Sequence, residues 1–440
     1  MDKKTIIWKL ICSLVIIAVA VLLLTGVLNK SDVRYHTEAL TRDELTELKA
    51  ETPAKLAYDG TVNAAAWREV FPYIADSMDA NKDNDEIVSY LEQDPYLVNI
   101  YEGYGFAKEY GSARGHSYCL EDVHHTARPH ATANCLTCKT PNFNKKVAEE
   151  GVGVYTMDFE TLWTEISEKG ENVSCYTCHG NSAGNDGELR VTHTYVNKAL
   201  GGNVASIDAS VLSCGQCHIE YYFTPADKET MMPYDSVEAM TPEAILAYYD
   251  TMVLPDGTVG FSDWTQESTG AKMLKAQHPE METFLQGKHA AEGMNCADCH
   301  MEIKLNDDGT VYHSHELVSP LSSEAILETC AKCHNDTNMT QLVHRIQDQI
   351  TTRETEIGNK LSAFKDALAG ANQAAQEGAP GAKTEEELSE IRKLYREAQW
   401  FFDFCYVENS EGAHNSALSN HCLDVAAEKI AEGMALLNAE

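Results

Sequence analysis

Ten of the chain's 14 cysteines fall into five Cys-x-x-Cys pairs, and that spacing constrains every other reading. The pairs are Cys135–Cys138, Cys175–Cys178, Cys214–Cys217, Cys296–Cys299 and Cys330–Cys333. Thiols three residues apart sit one helical turn from each other. Zinc ribbons and redox disulfides also use such pairs. Here His179, His218, His300 and His334 each follow a pair directly, the attachment signature of c-type haem. Two thiols add to two vinyl groups, and the adjacent imidazole becomes an axial ligand of the iron. The chemistry predicts five covalent haems, whose flat apolar faces would supply packing that side chains otherwise provide.

The first pair departs from the rule, because Lys139 stands where the others have histidine. A lysine ligates iron only as the neutral amine, so the metal must displace its proton. An amine donor suits a haem with an open sixth position for substrate, unlike a site built only to pass electrons. Four bis-histidine haems need four more axial histidines. Twelve histidines lie outside the motifs from Arg114 onward, and spacing alone does not single out four of them.

The N-terminus carries Lys3, Lys4 and Lys9 ahead of an uncharged apolar run from Leu10 to Leu28. A run of this length can cross a bilayer as a helix, and the flanking positive charge directs the chain beyond it to the outer side. Residues 1–30 are therefore expected to be an uncleaved membrane anchor or a cleaved signal segment, with the rest extracytoplasmic. Acidic residues number 68 against 34 basic ones, a net charge of −34, and this excludes a nucleic-acid binder. Apolar residues repeat at helical spacing through Ile346, Ile350, Ile357, Leu361, Phe364 and Leu368. Thr384 and Glu387 form a capping-box pattern opening a second long helix toward Phe402, and a third spans roughly 416–437. The expected fold is mainly α with little sheet. Residues 31–440 form a single domain, of which 338–440 is a region of long antiparallel helices.

One lysine-terminated motif followed by four histidine-terminated ones resembles the ammonia-forming pentahaem cytochrome c nitrite reductases. Further markers are Asp94-Pro-Tyr-Leu, Gly103-Tyr-Gly-Phe-Ala, Arg114-Gly-His116, Phe261-Ser-Asp-Trp264, the stretch from Cys214 to Phe223 and that from Met273 to Glu280. The resemblance covers about Asp94 to Leu437. It implies a multihaem cytochrome fold that reduces nitrite to ammonium. His116, His289, His315 and His414 match the family's distal ligands, and Arg128, Tyr221 and His278 its substrate pocket. Glu220 and Gln277 by side chain, with Tyr221 and Lys275 by carbonyl, match its calcium ligands, an oxygen-only set that suits a hard cation. A homodimer through the C-terminal helices is implied, as is an electron donor: a membrane tetrahaem quinol dehydrogenase or another multihaem cytochrome.

Two features depart from the family. Ser416 replaces a usual proline two residues after His414, and Cys119, Cys405 and Cys422 have no family role. A Cys405–Cys422 bridge would close the loop carrying His414, in place of the rigidity of that proline; two unpaired buried thiols are the alternative. The competing functional readings are a pure electron-relay cytochrome and a reductase of hydroxylamine or sulfite.

Overall fold

A computed structural model describes residues 64–439 apart from 70, 130, 169, 180–188, 190, 307–308, 310 and 335–337. The apolar run at 10–28 and the expectation resting on it lie outside the described residues. Within them, no helix is long and apolar enough to cross a membrane.

Three long helices dominate: α1 (Met339–Gln376), α2 (Glu385–Tyr406) and α3 (Ser416–Asn438). α1 has 38 residues, a span of about 57 Å at 1.5 Å per residue. Its buried face includes Ile350, Ile357, Leu361, Phe364 and Leu368, the stripe the spacing predicts; Ile346 is only partly buried. The Asn338 side chain accepts the Gln341 N–H at its N-terminus. The expected capping box opens α2, Thr384 and Glu387 each accepting the other's backbone N–H. α2 buries Leu388, Ile391, Tyr395, Trp400, Phe402 and Phe404, and each aromatic ring removed from water contributes about 1.5–3 kcal/mol. Phe364 meets Tyr395 edge-on across α1 and α2. Lys429 of α3 pairs with Glu397 of α2, and Arg353 of α1 with Asp424 of α3. The bundle therefore runs up, down, up.

Sheet is confined, among the described residues, to three antiparallel hairpins: β1 (Tyr222–Phe223) with β2 (Thr230–Met231), β3 (Trp264–Gln266) with β4 (Ala271–Met273), and β5 (Ile303–Leu305) with β6 (Val311–His313). The second hairpin is fastened to α2 by Arg396. Its guanidinium donates to Lys272 O at 2.8 Å and Phe261 O at 2.7 Å and pairs with Asp250 at 3.0 Å. The chain leaves β4 directly into Lys275, Gln277 and His278, so the long-helix bundle sets where that segment lies.

The main core joins the bundle to residues 96–101, 195–249 and 261–284. A smaller core of Leu120, Leu136, Phe143, Tyr155, Phe159 and Leu162 surrounds the first cysteine pair. The helices Cys175–His179 and Cys296–His300 are each five residues long and coincide with a motif. Asn295 caps the latter in a second reciprocal box with Asp298.

Two glycines permit close contacts, one between the bundle and the Tyr96–Ile100 helix and one within the bundle. A Cβ on Gly358 would meet the ring of Tyr96, and one on Gly433 would fall within the ring of Phe364. Gly433→Ala should gain about 1 kcal/mol of helix propensity and lose about 1–3 kcal/mol to overpacking. The net expectation is a lower unfolding midpoint with an unchanged haem content, measured by thermal denaturation and the pyridine haemochrome assay.

Candidate functional site

Four pairs of imidazoles face one another in the described residues. Ring centroids lie 6.2 Å apart for His116 and His218, 6.4 Å for His179 and His315, 6.3 Å for His289 and His334, and 6.1 Å for His300 and His414. Each pair joins a motif histidine to one of the four expected distal histidines. A first-row metal bonds an imidazole nitrogen at about 2.0–2.1 Å, so two rings on opposite sides of one ion have centres roughly 6 Å apart. The residues present fit a six-coordinate iron at each pair.

Several Nδ1 atoms have partners that direct Nε2 toward the facing ring. His300 Nδ1 lies 3.0 Å from Val318 O and His315 Nδ1 2.9 Å from His313 O. His414 Nδ1 lies 2.6 Å from Glu408 Oε1. His218 Nδ1 has only a longer ion-pair contact, 3.9 Å from Glu280 Oε1. Burial works to lower the His218 pKa, but Glu280 raises it to about 9.

Among the described residues, the loop of the first motif has no such partner histidine. Lys139 N–H donates to Leu136 O at 3.0 Å, and Thr140 caps the helix Pro141–Glu150 behind it. Thr137 ties the loop to Thr230 at 3.1 Å and, through its carbonyl, to the buried His193 at 3.1 Å. His278 and His116 both feel the Lys139 cation. His278 keeps exposed surface although protein crowds it deeply. That crowding favours the neutral ring and pushes its pKa down to about 4, with Glu280 opposing. Arg128 and Tyr221 are both half-buried. Burial pushes the Tyr221 phenol well up, with Cys138 and Cys135 adding and Arg128 opposing. Of the three expected pocket residues, Tyr221 and Arg128 thus interact electrostatically with each other and His278 with Lys139.

Two aromatic residues set the pocket wall, and only their motif hinted at them. Phe106 carries the Arg128 guanidinium 4.6 Å from its ring centre and the Lys275 ammonium at 4.2 Å. Tyr104 stacks on Trp264 at 4.4 Å and 6°. Arg128 is also held by Thr126 Oγ1, which accepts from its Nε at 3.1 Å. Lys275 is buried and its Nζ donates to Ala276 O at 3.0 Å. Burial lowers its pKa to about 8, Asp403 and Glu220 opposing.

The expected calcium residues also converge. Glu220 is buried, accepting from Tyr249 Oη at 2.8 Å and from Gln277 N. Gln277 Nε2 donates to Lys275 O at 2.8 Å; a turned amide would present its oxygen instead. Two carboxylates missed by the sequence reading join them. Glu282 accepts the Glu220 N–H at 2.8 Å and Asp263 the Lys275 N–H at 2.9 Å. Burial raises Glu220 well above the usual range, Asp263 to about 6 and Glu282 to about 8. Glu282 Oε2 is buried without a partner. Crowded buried carboxyls with nearby carbonyl and amide oxygens fit a hard divalent cation.

Two other arrangements resolve differently. Cys138, His193 and Cys217 approach a metal triad, but both thiols belong to haem motifs, and the cluster records how closely motifs one and three approach. The Cys405–Cys422 bridge does not form, and both thiols are free and buried. Cys405 Sγ instead donates to Glu354 Oε1 at 3.2 Å. The His414 loop is held by hydrogen bonds: Ser410 Oγ accepts the His414 N–H at 2.9 Å, and Asn415 caps α3.

A cytochrome c552 family model matches residues 63–439. The cytochrome c nitrite reductase subunit NrfA of Nitratidesulfovibrio vulgaris is 33% identical over 353 residues, 74% of this chain and 66% of that protein. Cytochrome c-552 of Haemophilus influenzae is 32% identical, with 77% and 66% covered, and that of Desulfotalea psychrophila 31%, with 82% and 72% covered. The aligned part of this chain thus spans about two thirds of the length of these curated relatives. The structure of cytochrome c nitrite reductase from Desulfovibrio desulfuricans, described with two calcium sites, superposes with a TM-score of 0.76 at 28% identity, covering 85% of both chains.

Phe106 holds Arg128 by its ring face, a contact of about 0.5–2 kcal/mol. Phe106→Leu should weaken small-anion binding at the pocket several-fold, read by spectroscopic titration, with the haem content unchanged.

Proposed function

The chain belongs to the cytochrome c552 family, and we propose that it reduces nitrite to ammonium in the pocket beside Lys139. The observation that carries the reading is the contrast among the five motifs. Four motif histidines each face a second histidine across roughly 6 Å, whereas Lys139 has no such partner among the described residues and acts electrostatically on His278. One haem can then accept substrate while the others pass electrons.

Haem c bound at the five motifs would supply one-electron redox chemistry and an iron to coordinate nitrite. The overall change takes nitrite, six electrons and eight protons to ammonium and two waters. Lys139 would hold its iron by the neutral amine, after loss of its proton. Arg128 holds the anion and polarises its N–O bonds, since guanidinium stays charged and is oriented here by Phe106 and Thr126. His278 and Tyr221 would pass protons to the departing oxygens.

Glu220, Gln277 and the Tyr221 and Lys275 carbonyls hold calcium in the same reading, supported by the oxygen-rich cluster with Asp263 and Glu282. The ion would offset the crowded carboxylates and brace Tyr221 and His278, which flank its ligands in sequence. The enzyme would be extracytoplasmic, with residues 1–30 as membrane anchor or cleaved signal segment, and paired through its C-terminal helices. It draws electrons from a tetrahaem quinol dehydrogenase or another multihaem cytochrome. The decisive assay follows nitrite consumption with a reduced viologen and scores ammonium. Five six-coordinate haems without turnover would instead establish an electron relay.

Arg128→Ala should lower kcat/KM for nitrite by about 10²–10³-fold while the spectrum of the lysine-ligated iron barely changes. His278→Ala should still bind nitrite but lose about 10²–10⁴-fold in kcat. Steady-state kinetics beside nitrite titrations separate the two defects.

Glu220→Ala should abolish turnover with all five haems retained, because Tyr221 loses its brace. Full activity of this variant in the presence of a chelator would remove calcium from the reading.

A further inference from the structure

The His414 loop holds a second device. Glu408 is buried at 2% exposure, and each of its carboxylate oxygens has a donor. Oε1 lies 2.6 Å from His414 Nδ1 and Oε2 accepts from Ser410 Oγ at 2.5 Å. The same Ser410 oxygen accepts the backbone N–H of His414 at 2.9 Å. Ring and backbone of one histidine are thus tied to a single carboxylate–hydroxyl pair. The partners of the other rings differ. His300 and His315 face backbone carbonyls, and Glu280 stands 3.9 Å from His218, beyond hydrogen-bond reach.

We propose that Glu408 is a positioning residue that orients His414 and lowers the reduction potential of the iron held between His300 and His414. The proposal rests on the reading that this pair faces a haem iron. A carboxylate accepting Nδ1–H forms a bond roughly twice as strong as one to a neutral acceptor. It shifts electron density toward Nε2 and makes the ring a stronger donor to the metal. Stronger donation and a nearby anion both favour the oxidised iron, so the potential falls. Ser410 works in the opposite sense, since its hydroxyl draws density from the carboxylate and moderates the effect. The pair therefore fixes one haem below what two neutral partners would give, which keeps it a strong donor along the chain of irons.

The test uses the full-length holoenzyme in redox titrations followed by visible absorption and electron paramagnetic resonance. His414→Ala identifies the haem, because one low-spin signal should be replaced by a high-spin one; an unchanged set of low-spin signals would remove the pairing itself. Glu408→Gln keeps the shape and removes the charge. It should shift the midpoint of that haem upward and leave the other four in place. Ser410→Ala should shift the same midpoint downward. Opposite signs on one haem are not expected of a merely structural contact. If Glu408→Gln releases His414, a high-spin signal appears and Ser410→Ala decides the matter. With the pairing intact, no shift, or shifts of the same sign, would overturn the proposal.

Discussion

Two imidazoles that share one iron must face each other at a fixed separation, and four histidine pairs of this chain stand at the separation that would meet this condition. It ties segments that are remote in sequence: the loop at His116 to the motif at His218, the motif at His179 to His315, His289 to His334, and the motif at His300 to the loop between α2 and α3. Most of the motif segments are too short to be stable helices alone. The motif cysteines are only half-buried, with Cys333 exposed, whereas Cys405 and Cys422 are buried. Thiols that open onto intervening space are what covalent attachment to flat prosthetic groups requires. Haems attached there would serve as core as well as wire, and the three long helices pack into the main core beside these segments.

That helix bundle also sets the chemistry of the pocket. Arg396 on α2 grips the β3–β4 hairpin, and the chain leaving β4 delivers Lys275, Gln277 and His278. Phe106 has Lys275 and Arg128 within 4.6 Å of its ring centre. A chain with a net charge of −34 thereby holds the Arg128 guanidinium and the Lys275 ammonium against one aromatic ring. At short range and low dielectric these cations outweigh distant surface carboxylates, which solvent and salt screen within about 8–10 Å. An anionic substrate and an acidic exterior are compatible for this reason. Asp263 and Glu220 hold the backbone of the same segment by accepting the Lys275 and Gln277 N–H groups, and Glu282 accepts the Glu220 N–H.

Local chemistry was legible in the sequence because it depends on short spacing. Cys-x-x-Cys-His, the lysine exception at position 139, the Thr384–Glu387 capping box and the apolar stripe of α1 are all matters of neighbours a turn apart. So were the scarcity of sheet and the long C-terminal helices. Arg128, Tyr221, His278 and the distal histidines were reached through family resemblance, since twelve spare histidines carry no mark of what they will face. The Cys405–Cys422 bridge was a reasonable inference from spacing and compartment. The structure supplies the rigidity of the loop by another route, through Glu408, Ser410 and Asn415.

Tertiary structure alone decided which histidine faces which. It also decided that Phe106 carries Arg128, that Asp263 and Glu282 join Glu220, and that a carboxylate backs His414. These are contacts between residues far apart along the chain, and no periodicity encodes them. The sequence by itself determined the chemistry of each motif, because covalent attachment and helix capping act over a few residues. Partnership and local electric field arise only when packing brings separate segments within a few ångströms, where hydrogen bonding and desolvation become strong.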